Sequence, residues 1–97
     1  MSKVIKEQIT DYCKVYTYAI KNKQFKGIRM KVDKETMLFE INKNVTPNKS
    51  FFEKGYKLVS RTKVKDRTIT VFSINCSEEE RGADIFEKFI IDLGHFR

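Results

Sequence analysis

The spacing of hydrophobic positions changes along the chain. Over residues 3–22 the apolar side chains fall at Ile5, Ile9, Tyr12, Tyr16 and Ile20, with Cys13 and Ala19 beside them. Spacing of three to four residues predicts an amphipathic helix. Ser2 is placed to cap it, and Glu7 favours its first turns. The stretch VYTYAI at 15–20 is rich in β-formers, so a strand over residues 12–20 is the alternative.

From Gly27 the period shortens to two. Ile28, Met30 and Val32 point one way and Arg29 and Lys31 the other, the pattern of a half-buried strand. DKET makes a polar turn, and MLFEI returns with Met37, Phe39 and Ile41 on one face, which completes a β-hairpin. In NKNVTPNKSFFEKG, Thr46 before Pro47 signals a helix start and Gly55 a stop. A short helix over residues 47–54 is expected to bury Phe51, with Phe52 as a second candidate for the core.

A second hairpin follows. Tyr56, Leu58, Ser60, Thr62 and Val64 share one face, and Lys57, Val59, Arg61, Lys63 and Lys65 the other. KDR is the turn. TITVFSINC returns with apolar side chains on both faces, which predicts a central strand. Ser77 followed by three glutamates reads as a capping box, with Ala83, Phe86, Phe89, Ile90 and Leu93 at helical spacing and Gly94 as the terminator.

These elements predict a single small α+β domain over residues 1–97, in the order α-β-β-short α-β-β-α. The simplest assembly is a four-stranded antiparallel sheet with two long helices on one face. The other sheet face is then left to Arg29, Lys31, Arg61 and Lys63.

Composition narrows the class. The chain has 97 residues, 40% of them apolar, with eight Phe and four Tyr, too aromatic for a disordered segment. No apolar run approaches the roughly 20 residues of a membrane span, and the opening MSKVIKEQITDY lacks the apolar core of a signal peptide. A cytosolic protein with no membrane partner is expected. Cys13 and Cys76 lie far apart and outside any CxxC arrangement. They read as small hydrophobes, with a disulfide between them as the lesser alternative.

Net charge is +7, unevenly spread. Residues 21–67 carry fourteen Lys or Arg against five Asp or Glu, whereas residues 68–97 carry three against six. Such a dipolar chain steers its middle segment toward an anionic partner.

Catalytic chemistry has little to stand on. His95 is the only histidine, with no nucleophile or acid near it in sequence. Glu78, Glu79, Glu80 and Asp84 fan around a helix start and do not converge on a metal. There is no Walker A, GxGxxG or GxSxG motif, and no cofactor is expected. A metal-independent ribonuclease built from Tyr12, Tyr16, Tyr18 or Tyr56 and nearby cations is the third choice.

The first choice is a non-catalytic protein that binds an anionic partner, nucleic acid above all. Its candidate contacts are Arg29, Lys31, Lys57, Arg61, Lys63, Lys65 and Arg67. Tyr56 and Phe25, interleaved with cations, are candidate base-stacking side chains. The runner-up is an inhibitor of the phage or mobile-element type that occupies a host protein or binds a nucleotide signal. Met30, Met37, Phe25 and Phe96 are its candidate apolar contacts. An uncovered sheet face, or the 57–65 edge, also offers a second copy a place to pair.

Overall fold

The computed structural model describes residues 5–20, 23–31 and 33–94. His95 and Phe96, candidates by sequence, lie outside the described residues. Among the described residues six strands and two helices follow in chain order. They are β1 (Lys6–Ile9), β2 (Cys13–Ile20), β3 (Lys23–Met30), β4 (Thr36–Ile41), α1 (Lys49–Glu53), β5 (Lys57–Val64), β6 (Arg67–Asn75) and α2 (Gly82–Asp92). The strands form one antiparallel sheet in the order β1-β2-β3-β4-β6-β5.

The expected four-stranded sheet with two long helices is therefore corrected to six strands, one long helix and one short one. The difference lies in residues 5–20, the described part of the stretch read as a helix. Their β-branched and aromatic side chains fit a pleated surface, and β2 gains a full ladder against β3, from Cys13 opposite Met30 to Ile20 opposite Lys23. The helical spacing was coincidental: Tyr16 is buried, while Ile9 and Tyr12 are exposed.

Register divides the sheet into two faces. Tyr16, Phe25, Met37, Phe39, Ile41 and Phe72 are buried beneath the helices. α2 packs across β2 and β3, and its Phe89 stacks on Phe39 with ring centroids 4.1 Å apart. α1 covers the β6 end of the same face, where Phe51 stacks on Tyr56 at 4.3 Å and meets Phe72 edge-on at 5.1 Å. The opposite face carries Val15, Ile28, Leu38 and Val71, all half-buried, and no second layer covers it among the described residues.

The first strand of the first hairpin, β3, is inverted relative to expectation, whereas β4 keeps the expected face. β3 begins at Lys23, four residues before Gly27, and Phe25 and Gly27 set the inward register. Gly27 faces Met37 and Phe86, where a Cβ would lie 2.7 and 2.8 Å from their side chains. Arg29 consequently points inward, and Ile28 and Met30 outward. Of the candidate apolar contacts, Met30 is exposed, whereas Met37 and Phe25 are buried.

The capping-box signal is realised one turn ahead of α2. Ser77 N–H donates to Glu80 Oε1 at 2.8 Å, and Glu79 N–H to Ser77 Oγ at 3.2 Å. The N-cap of α2 is Arg81.

Candidate nucleic-acid interface

The seven candidate cations do not form one site. Arg29 is 6% exposed and is consumed by the fold. Its guanidinium donates to the carbonyl oxygens of Lys34, Ser77 and Glu80, tying the β3–β4 turn to the segment before α2. Lys31 is exposed, just past the same end of β3. It borders an open cavity of about 680 Å³ between β1, β2 and the start of α2. The cavity's charges are mixed: Lys34 pairs with Glu78 at 3.2 Å and Lys14 with Glu7 at 4.0 Å.

The other five cations lie on the β5–β6 hairpin, but not as one stripe. Leu58 opposes Phe72, and the register then shifts so that Ser60 opposes Val71. Val59 is the extra residue of a β-bulge, which reverses the facing of every residue after it. Lys57, opposite Ser73, and Arg67, opposite Val64, share the open face of the sheet. Arg61, opposite Thr70, and Lys63, opposite Thr68, share the helix face. Lys65 stands in the two-residue turn with a φ of 57°. A bulge leaves no signature in a string of alternating residues, which is why the sequence pattern placed Lys57, Arg61, Lys63 and Lys65 together.

The hairpin outruns the rest of the sheet. Pairing of β4 with β6 ends at Ile41 opposite Thr70, whereas β5 and β6 pair on to Val64 opposite Arg67. Residues 62–69 thus form a two-stranded ribbon with no third strand. Loop residues brace its base: Thr70 Oγ1 donates to the Lys43 carbonyl at 2.7 Å, and Arg61 Nη2 to the Val45 carbonyl at 2.9 Å. Beyond that brace, Lys63, Lys65 and Arg67 are exposed, as is Lys57 nearer the middle of the sheet. Among the described residues no carboxylate pairs with any of the four.

The aromatic side chains are placed elsewhere. Tyr16, Tyr18, Phe25, Phe39 and Phe72 all carry the register of the helix face. Tyr56 and Phe25 are buried, so neither is available to stack on a base. Tyr12, 75% exposed, lies in the β1–β2 turn beside Lys31, at the sheet end opposite the ribbon tip. Burial, and after it the charge and hydrogen bond of Glu7, pushes the Tyr16 phenol above its ordinary pKa. Burial and Asp92 do the same to Tyr56.

Both cysteines are free. Among the described residues no cluster of His, Cys, Asp and Glu is placed to hold a metal, and no helix is long and apolar enough to cross a membrane. Comparison with family models, with curated proteins and with solved structures finds no match to this chain.

Proposed function

We propose that the protein is a non-catalytic, cytosolic nucleic-acid-binding module that holds phosphates with the cations of its β5–β6 hairpin. The observation that carries this is the exposed, unneutralised state of Lys57, Lys63, Lys65 and Arg67 on an element that projects from the sheet. Free cations of this kind hold condensed phosphate charge by displacing counterions, which makes binding steeply salt-dependent. The buried Arg29 contributes no such contact, and at the cavity Lys14 and Lys34 already have carboxylates beside them.

Fluorescence anisotropy with labelled DNA and RNA, single- and double-stranded, tests the proposal. At about 50 mM salt, micromolar binding is expected that weakens by an order of magnitude or more at about 200 mM. Absence of binding to every one of these nucleic acids at low salt sinks it.

A second reading has its own observation. Phe52, Leu58 and Val59 are 37%, 41% and 53% exposed. Phe52 and Leu58 both lie against Phe72, so they form a small apolar patch at the root of the hairpin. A protein partner fits such a patch. If that is the working surface, Leu58→Ser abolishes a stoichiometric complex and Lys63→Ser does not.

A further inference from the structure

Resting on the nucleic-acid reading above, we infer that the β5–β6 hairpin is a groove-inserting ribbon, and that its partner is duplex DNA rather than a single strand or an RNA duplex.

The distribution of charge is the first reason. A patch lying flat on one strand needs its cations on one face. A ribbon lying between two phosphate walls needs them on both. Pairing across the turn gives the second arrangement: Lys63, opposite Thr68, faces the helix side, Arg67, opposite Val64, the open side, and Lys65 sits at the tip, while the Val59 bulge turns Lys57, nearer the middle of the sheet, to the side of Arg67. Asp66 is the single anion among them.

Shape is the second reason. Residues 62–64 and 67–69 continue past the last β4 pairing. At about 3.3 Å per residue that gives a projection of about 10 Å before the turn is counted. The major groove of B-form DNA is about 12 Å wide and about 8.5 Å deep and accepts a two-stranded ribbon. The A-form major groove of an RNA duplex is too narrow for one.

The third reason is chemical. Proteins that bind single strands combine cations with exposed aromatic platforms. The ribbon has no aromatic residue, and the sheet's own aromatics are turned to the helix face. Thr62, Val64, Thr68 and Ile69 are the uncharged side chains left to meet the groove. They offer little base discrimination, so low sequence selectivity is expected.

Anisotropy with a labelled DNA duplex of about 20 base pairs, its single strand and the matching RNA duplex decides the partner. The DNA duplex is expected to bind about five-fold or more tighter than either alternative. Lys63→Ser and Arg67→Ser, on opposite faces, are each expected to weaken duplex binding about three- to ten-fold and to lower the salt slope by about one. Lys88→Ser, on the exposed side of α2, leaves it unchanged. Circular dichroism checks that each variant is folded. Equal or tighter binding to the single strand or the RNA duplex overturns the partner while leaving nucleic-acid binding standing. Loss of affinity from only one of the two faces overturns insertion. No binding to any of the three removes both this inference and the reading beneath it.

Discussion

Arg29 Nη2 donates a hydrogen bond to the carbonyl oxygen of Ser77 at 2.6 Å, across 48 residues of sequence. The same guanidinium also holds the carbonyls of Lys34 and Glu80. A buried cation is costly unless its donors are matched. Here backbone oxygens match them, and in return a segment with no regular structure is fixed ahead of α2.

Arg29→Lys should therefore act on stability. An ammonium cannot span three carbonyls placed for a planar fork, so groups that are buried now lose their partners. A loss of about 2–4 kcal/mol is expected in urea unfolding. Nucleic-acid affinity of the folded fraction should stay within about two-fold, because Arg29 is buried and cannot reach a phosphate. A large, specific loss of affinity with unchanged stability would contradict the placement of Arg29.

Tyr56 supplies a pH-dependent prediction. Its hydroxyl donates to Asp92 Oδ2 at 2.7 Å, while Lys54 Nζ reaches Oδ1 at 3.0 Å, which joins the end of α1 to the end of α2. Burial first, then the hydrogen bond and charge of Asp92, raise the phenol's pKa in the folded protein. The unfolded chain therefore gives up this proton first as pH rises. The contribution is fully present below the unfolded phenol's pKa of about 10 and is lost above it. Tyr16 and Cys76, also raised mainly by burial, add to the alkaline loss. Tyr56→Phe should cost about 1–2 kcal/mol at neutral pH and show a shallower decline above about pH 10 in denaturation curves taken at stepped pH. Parallel curves for the two proteins would refute this.

Gly82 lies directly over Tyr16, where a Cβ would stand 2.6 Å from the ring. Alanine is ordinarily the better helix residue, yet here it must displace a buried aromatic. Gly82→Ala is expected to destabilise by about 2 kcal/mol or more, as overpacking does. Pairing it with Tyr16→Leu should recover part of that loss in a double-mutant cycle. Additive losses would show that the two positions do not touch.

These contacts explain which parts of the fold were legible in the sequence. The inward face of β4, the position of β6 inside the sheet, the short α1 and the apolar stripe of α2 follow from period and from turn residues. Residues 3–22 were ambiguous because Tyr12 and Tyr16 satisfy a helical spacing that only β pairing with residues 23–30 overrules. Gly27, lacking a side chain, hid the inward register of β3, and with it the burial of Arg29. The hairpin's cations were visible as a group, but the turning of Lys57 away from Arg61 and Lys63 depends on one unpaired residue, Val59, and the split of Lys63 from Arg67 on the pairing across the turn. Distinguishing Arg29 from Lys63 therefore needed the sheet.

Lys65 joins the two levels. Its φ of 57° is left-handed, a conformation that Asn and Gly adopt at little cost and Lys does not. Where the first residue of a two-residue hairpin turn alone has a positive φ, Gly or Asn is favoured there, whereas this turn carries Lys65. The choice costs stability, and what lysine supplies there that asparagine lacks is a charge at the most projecting point of the hairpin. Lys65→Asn should raise stability by about 1 kcal/mol in urea unfolding and weaken DNA-duplex binding about three-fold or more. A variant that gains stability and keeps full affinity would mean that the tip does not meet phosphate, and the ribbon would have to bind along its sides alone.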